Sequence, residues 1–142
     1  MASVVVCVAA AVVRREGTNL SCFAWGLMTH YCLEAAEQLA GDGVSVEVVD
    51  LRTLAPLDRD AILESVRKTG KAMVVYEDNL TGGFGAEVSA IISEHAFDDL
   101  DGPVVRVATQ DVPAMPFNAP QEEFVMPNPT KIATAMKQLA AY

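Results

Sequence analysis

Apolar residues fall along this chain in two alternating rhythms, short solid runs and stripes of helical period. Positions 20–25 form a compact apolar run ending at Gly26, the mark of a buried strand. Met28, Tyr31, Cys32, Ala35 and Leu39 then fall at i, i+3, i+4, i+7 and i+11, one helical stripe. Gly41 ends that helix, where a left-handed cap costs least. Positions 44–49 give the second strand, and Leu54-Ala55-Pro56-Leu57-Asp58 turns into a helix with Asp58 as its N-cap. Ile62, Leu63 and Val66 give this helix its buried side, and Gly70 closes it. The third strand is 72–76; the turn behind it, Glu77 to Gly85, is rich in acid and glycine. That turn opens a helix whose Val88, Ile91 and Ile92 face inward, with His95 either inward or, as suits it and His30 better, in a surface or capping role. Asp98, Asp99 and Asp101 form an acidic, solvated corner before a fourth, short strand at 104–107. Five prolines at 113, 116, 120, 127 and 129 mark an extended loop. Asn128-Pro129 starts the last helix as N-cap and N1, with Ile132, Met136 and Leu139 inward.

This order of elements predicts an α/β domain, doubly wound, with a mostly parallel sheet of about five strands and helices on both faces. The apolar run at 3–13 is too short for a membrane helix, and no basic residue precedes it as in a signal peptide. It reads as a strand remnant or linker, which divides the chain into an apolar segment, 1–13, and a domain, 14–142. The apolar content is mostly Ala, Val, Leu and Ile, as suits a sheet covered on both faces. At 51% it is also high enough to leave apolar surface for a partner. The net charge of −9 repels phosphate backbones, which argues against nucleic acid and for a basic protein partner. Cys7, Cys22 and Cys32 are odd in number and show no C-x-x-C spacing, the pattern of reduced core thiols.

Little in the chain has the spacing of a chemical site. Gly82-Gly83-Phe84-Gly85 at a strand-to-helix junction has the form of a phosphate cradle, since free N–H groups and the helix dipole attract anions. It is not G-x-G-x-x-G, no G-K-[ST] follows, and Glu77 and Asp78 upstream oppose an anion. The structural alternative is a tight turn that lets helix and sheet approach closely. Glu77 and Asp78 as an acid pair or metal ligands would have to share one ion from opposite faces of a strand. Capping of backbone N–H groups, or a contact to a neighbouring subunit, suits them better. Gly41-Asp42-Gly43 imitates a thiamine-diphosphate motif, but no Asn-Asn pair follows it anywhere. His30 and His95 have no nucleophile at a useful spacing, and neither Ser nor Cys sits in a nucleophile elbow. Nothing has the spacing of a zinc site.

Two long stretches carry a resemblance: Val49-Asp50-Leu51-Arg52-Thr53-Leu54-Ala55-Pro56-Leu57-Asp58 with 62–70, and Thr81-Gly82-Gly83-Phe84-Gly85-Ala86-Glu87. They are similar to the transketolase C-terminal domain family, in the form found in the beta subunit of the 2-oxo acid dehydrogenase first component. Arg15-Glu16-Gly17-Thr18, Trp25-Gly26, Pro116-Phe117 and Met126-Pro127-Asn128-Pro129 continue the match, from about Arg14 to the end. The resemblance implies a parent heterotetramer of alpha and beta chains using thiamine diphosphate and magnesium. Its reaction is oxidative decarboxylation of a 2-oxo acid, of the pyruvate or branched-chain 2-oxoisovalerate type, with acyl transfer to a lipoyl arm. In that family the diphosphate motif lies in alpha, and the activating glutamate lies in the N-terminal half of beta. This domain is then expected to hold no catalytic residue, cofactor or metal of its own. Glu77, Thr81, Gly82, Gly83, Phe84 and Gly85 form the family-motif strand-end turn.

The implied partners are a second beta chain (as a homodimer or beta–beta pair), the alpha subunit, the N-terminal half of beta, and the basic subunit-binding domain of the acyltransferase. Acidic charge suits that last partner, because complementary charge steers and registers docking. The implied location is cytoplasmic, or the mitochondrial matrix or plastid in a eukaryote, with no membrane role. The expected function is assembly and docking, with an excised domain or a truncated product that is inactive alone. The alternative from another class is a stand-alone regulatory module binding a small anion at Gly82 to Gly85. A self-contained enzyme using Glu77, Asp78 and His30 is the third, and lacks a triad or cofactor fingerprint.

Overall fold

The computed structural model describes residues 10–142, so the apolar run at 3–13 and Cys7 lie largely outside it. Five strands form one sheet in the order β1-β3-β2-β4-β5. They are β1 (Val12–Arg15), β2 (Leu20–Ala24), β3 (Val46–Asp50), β4 (Ala72–Asn79) and β5 (Val105–Thr109). Four of them run parallel, and β1 pairs antiparallel along the outer edge of β3. The mostly parallel α/β sheet expected from the pattern is therefore present.

Because side chains alternate across a strand, each run supplies both cores. Leu20, Cys22 and Ala24 of β2, with Met73 and Val75 of β4, face α1 (Leu27–Ala40) and α5 (Pro129–Ala140). Phe23, Val49, Val74 and Tyr76 face the other way, against α2 (Arg59–Thr69) and α3 (Gly85–His95). Asp58 caps α2 by accepting from Ala61 N at 3.1 Å, and Asn128 caps α5 by accepting from Lys131 N at 2.9 Å. Both caps are those the sequence predicts.

Three details differ from expectation. Gly41 keeps right-handed geometry (φ −63°), and the positive φ falls at Gly43 (80°), inside the turn. The proline-rich segment carries a helix, α4 (Ala119–Val125), because Pro120 sits in a first turn where its missing N–H costs nothing. Asn118 caps it, accepting from Gln121 N at 3.1 Å. β4 runs on to Asn79 through an irregularity between Val75 and Asn79 that lets it rejoin β5 at Thr109. His95 takes the surface role that suits it better in the sequence: it is exposed, and Arg59 Nη2 lies 2.7 Å from its Nε2.

Candidate functional site

The end of β4 is where sites form in open parallel sheets, and its geometry follows from one buried ring. Tyr76 is fully buried, stacked on Trp25 at 5.6 Å between centroids, with Phe84 edge-on to Trp25 at 6.1 Å. The glycines lie against it. A Cβ on Gly85 would stand 1.9 Å from Tyr76 Cε1, and one on Gly83 would stand 2.6 Å from Cε2 and 2.3 Å from the Asn79 carbonyl. Only residues without side chains let the turn pass so close to the ring.

Several polar groups around the turn are bonded within the fold. The N–H groups of Ala86 and Glu87 donate to the carbonyls of Gly83 and Phe84, both at 3.0 Å. Arg106 Nη1 donates to the Leu80 carbonyl (2.8 Å) and to the Tyr76 hydroxyl (3.3 Å). Thr81 donates twice to Asp111, from N (3.0 Å) and from Oγ1 (2.6 Å). The Thr81 hydroxyl, then its N–H, hold the Asp111 carboxyl below its ordinary range. The turn is thereby tied to the chain beyond β5. Asp78 Oδ1 accepts the N–H of Asn79 at 2.8 Å.

Glu77, Thr81 and Gly82 are exposed, Phe84 is half-buried, and Gly83 and Gly85 are buried. Glu77 does not share a pocket with the glycines. It lines a groove of about 640 Å³ with Leu27, Tyr31, Met115, Glu122 and Met126. Gly82, Gly83 and Phe84 line a separate cavity of the same volume, toward Leu54, Leu57 and Arg59. His30 is exposed on α1, in neither cavity.

A second polar cluster has no counterpart in the sequence reading. Glu47 on β3 is 2% exposed and accepts from Ser65 Oγ at 2.6 Å and from Lys68 Nζ. Lys68 also bridges to Glu16, which holds the Glu16 carboxyl below its ordinary range and raises the lysine. Ser21 continues the cluster, donating to the Ser65 carbonyl at 2.9 Å and lying 2.7 Å from Thr69 Oγ1. The available signal was Ser65 and Lys68 at i and i+3 on one face of α2. On the opposite face of the sheet, the free thiols of Cys22 and Cys32 are buried, with Sγ atoms 3.4 Å apart. Burial, and then Cys22, push the Cys32 thiol well up.

Comparison with known proteins places this geometry. The family described as "Transketolase, C-terminal domain" matches residues 9–132. The chain is 48% identical over 130 residues to the 2-oxoisovalerate dehydrogenase subunit beta of Bacillus subtilis, covering 92% of this chain and 40% of that protein. It is 45% identical over 127 residues to the pyruvate dehydrogenase E1 component subunit beta of the same organism, covering 89% and 39%. A solved split-gene transketolase, an inactive beta4 tetramer, superposes with a TM-score of 0.81 at 30% identity, over 94% of this chain and 42% of that one. The chain thus spans about two fifths of the curated relatives it matches. Its two long motifs, its parallel sheet and its glycine turn all agree with one assignment: the chain belongs to the transketolase C-terminal domain family.

Proposed function

We propose that this chain is the assembly and docking domain of a 2-oxo acid dehydrogenase beta subunit and has no turnover alone. The observation that carries the reading is its likeness to two such beta subunits over about nine tenths of its own length. In this reading the parent enzyme oxidatively decarboxylates a 2-oxo acid and passes the acyl group to lipoyl. Thiamine diphosphate and magnesium would supply the carbanion chemistry there.

The residues of this domain do not fit that cofactor. Asp42, in the Gly41-Asp42-Gly43 turn, accepts from Lys137 Nζ at 2.7 Å, and no Asn-Asn pair accompanies it. Among the described residues, no group of three or more His, Cys, Asp or Glu is placed to hold a metal. Glu77, Thr81, Gly82, Gly83, Phe84 and Gly85 act in this reading as a structural turn that presents the end of β4.

The partners in this reading are a second beta chain, the alpha subunit, the N-terminal half of beta, and the basic subunit-binding domain of the acyltransferase. A surface for the last lies at Asp98, Asp99 and Asp101, beside exposed Phe97 and Tyr142. Arg67 offsets only Asp99, at 3.4 Å. No helix among the described residues is long and apolar enough to cross a membrane, and the reading places the chain in the cytoplasm, mitochondrial matrix or plastid.

Calorimetric titration with the alpha subunit, an N-terminal beta half and a basic subunit-binding domain tests the proposal. Binding to the basic domain that weakens at high salt is the expected result. Absence of binding to all three would sink it.

A further inference from the structure

The groove at the carboxyl end of the sheet is separate from the acidic corner at 98–101. That corner precedes β5, whereas the groove follows it. Its walls are the start of α1, the end of β4, the segment after β5, α4, and the link from α4 into α5. Its apolar lining is Leu27, Tyr31, Met115 and Met126, and its carboxylates are Glu77, Glu122 and Glu123.

None of these three carboxylates forms a salt bridge among the described residues. The nearby cation, Lys131, is committed elsewhere. Its Nζ donates to the carbonyls of Glu123 (2.7 Å), Phe124 (2.6 Å) and Met126 (2.8 Å), closing the end of α4. An ammonium has three donors, so none is left for the groove.

Exposed apolar side chains also sit on the segments that wall the groove, Phe117 two residues after Met115 and Phe124 on α4 with Lys131 Nζ 5.9 Å from its ring centroid. Phe117 is wholly exposed, Phe124 is 68% exposed, and Leu27 and Met115 are about two fifths exposed. Apolar patches of this kind, rimmed by charge, mark surfaces that a protein partner covers. A small polycation would neutralise the carboxylates and leave Phe117 in water.

We propose that this groove seats a basic, amphipathic segment of a partner protein, its cations on Glu77, Glu122 and Glu123 and its apolar face on Leu27, Met115 and Phe117. The arrangement is that of an apolar helix face laid in a groove, with charge setting register. It does not depend on the role proposed above, because it rests on the groove's own charge and exposure.

The test is a titration of the isotope-labelled full chain, followed residue by residue by NMR. The probe is a peptide with lysines on one helical face and leucines on the other. Saturable shifts at Leu27, Tyr31, Glu77, Met115 and Met126 are expected. Glu77→Lys and Glu122→Lys should each weaken binding by about tenfold, and Phe117→Ser should weaken it without loss of fold. A peptide with glutamates in place of lysines should not bind. Shifts centred on 98–101, affinity unchanged by both charge reversals, or no binding would overturn the proposal. So would spermidine binding as tightly as the peptide, since the apolar surface would then contribute nothing.

Discussion

The two regions at the carboxyl end of the sheet are built on opposite plans. At the glycine turn, Tyr76 fills the space that side chains on Gly83 and Gly85 would need, and Thr81 is bonded to Asp111. In the groove beside α4, three carboxylates have no ion-pair partner among the described residues, and Phe117 stands in solvent. The turn has the stronger motif and spends Thr81 and the N–H groups of Ala86 and Glu87 on the fold. The groove is lined by Glu77 and by the shorter family match Met126-Pro127-Asn128-Pro129, and leaves its carboxylates without ion pairs among the described residues. At the glycine-rich junction the freedom of Gly83 and Gly85 is consumed by packing against Tyr76.

The sharpest way to break this contrast is Gly85→Val. Its Cβ would enter the Tyr76 ring, and neither the ring, stacked on Trp25, nor the turn has room to yield. Overpacking of this kind should cost about 3 kcal/mol, read as a lower urea midpoint. An unchanged midpoint would mean that the ring does not fix the turn. A smaller loss is expected for Lys68→Met, which leaves Glu47 buried with Ser65 as its remaining partner. Adding Glu47→Gln should restore most of the midpoint, since the uncompensated charge is then gone. Failure of the second change to rescue the first would mean that Lys68 acts through its packing.

How far these features could be read from sequence depends on how local their causes are. The strand at 72–76, the caps Asp58 and Asn128, and the glycine turn have causes within a few residues, and each is legible. The filling of the glycine slot by Tyr76 joins a strand to the helix after it, and period alone names no such pair. Glu47 sits between Val46 and Val48, so alternation assigns it the face opposite their core. Only the tertiary cover of α2 shows that its face is buried too. The helix α4 was hidden by counting Pro120 as a breaker, although Asn118 two residues earlier is an N-cap signal. The family motifs were legible because they are long and contiguous. The groove draws its walls from three separate stretches of the chain, 27–31, Glu77 and 115–129, and no single window contains it.

Two further changes sharpen the comparison at smaller amplitude. The Asp111 carboxyl is depressed in the fold by Thr81, so it contributes stability above its unfolded pKa, near 4. That contribution is lost as the pH falls through the folded value. Thr81→Val removes the hydroxyl donor, so wild type and variant should differ most near neutrality and converge in acid. A difference independent of pH would assign the effect to packing of the turn. The smallest effect on stability belongs to Phe117→Ser. The ring is wholly exposed, so its removal should change unfolding free energy by no more than about 0.5 kcal/mol. The same change should weaken binding of the lysine–leucine peptide, because the ring's contacts would form only with a partner. A substitution neutral to folding and costly to binding is what an open groove requires. A large loss of stability would instead place Phe117 among the groups that hold the end of the sheet together, as Tyr76 does, and the contrast between the two regions would fail.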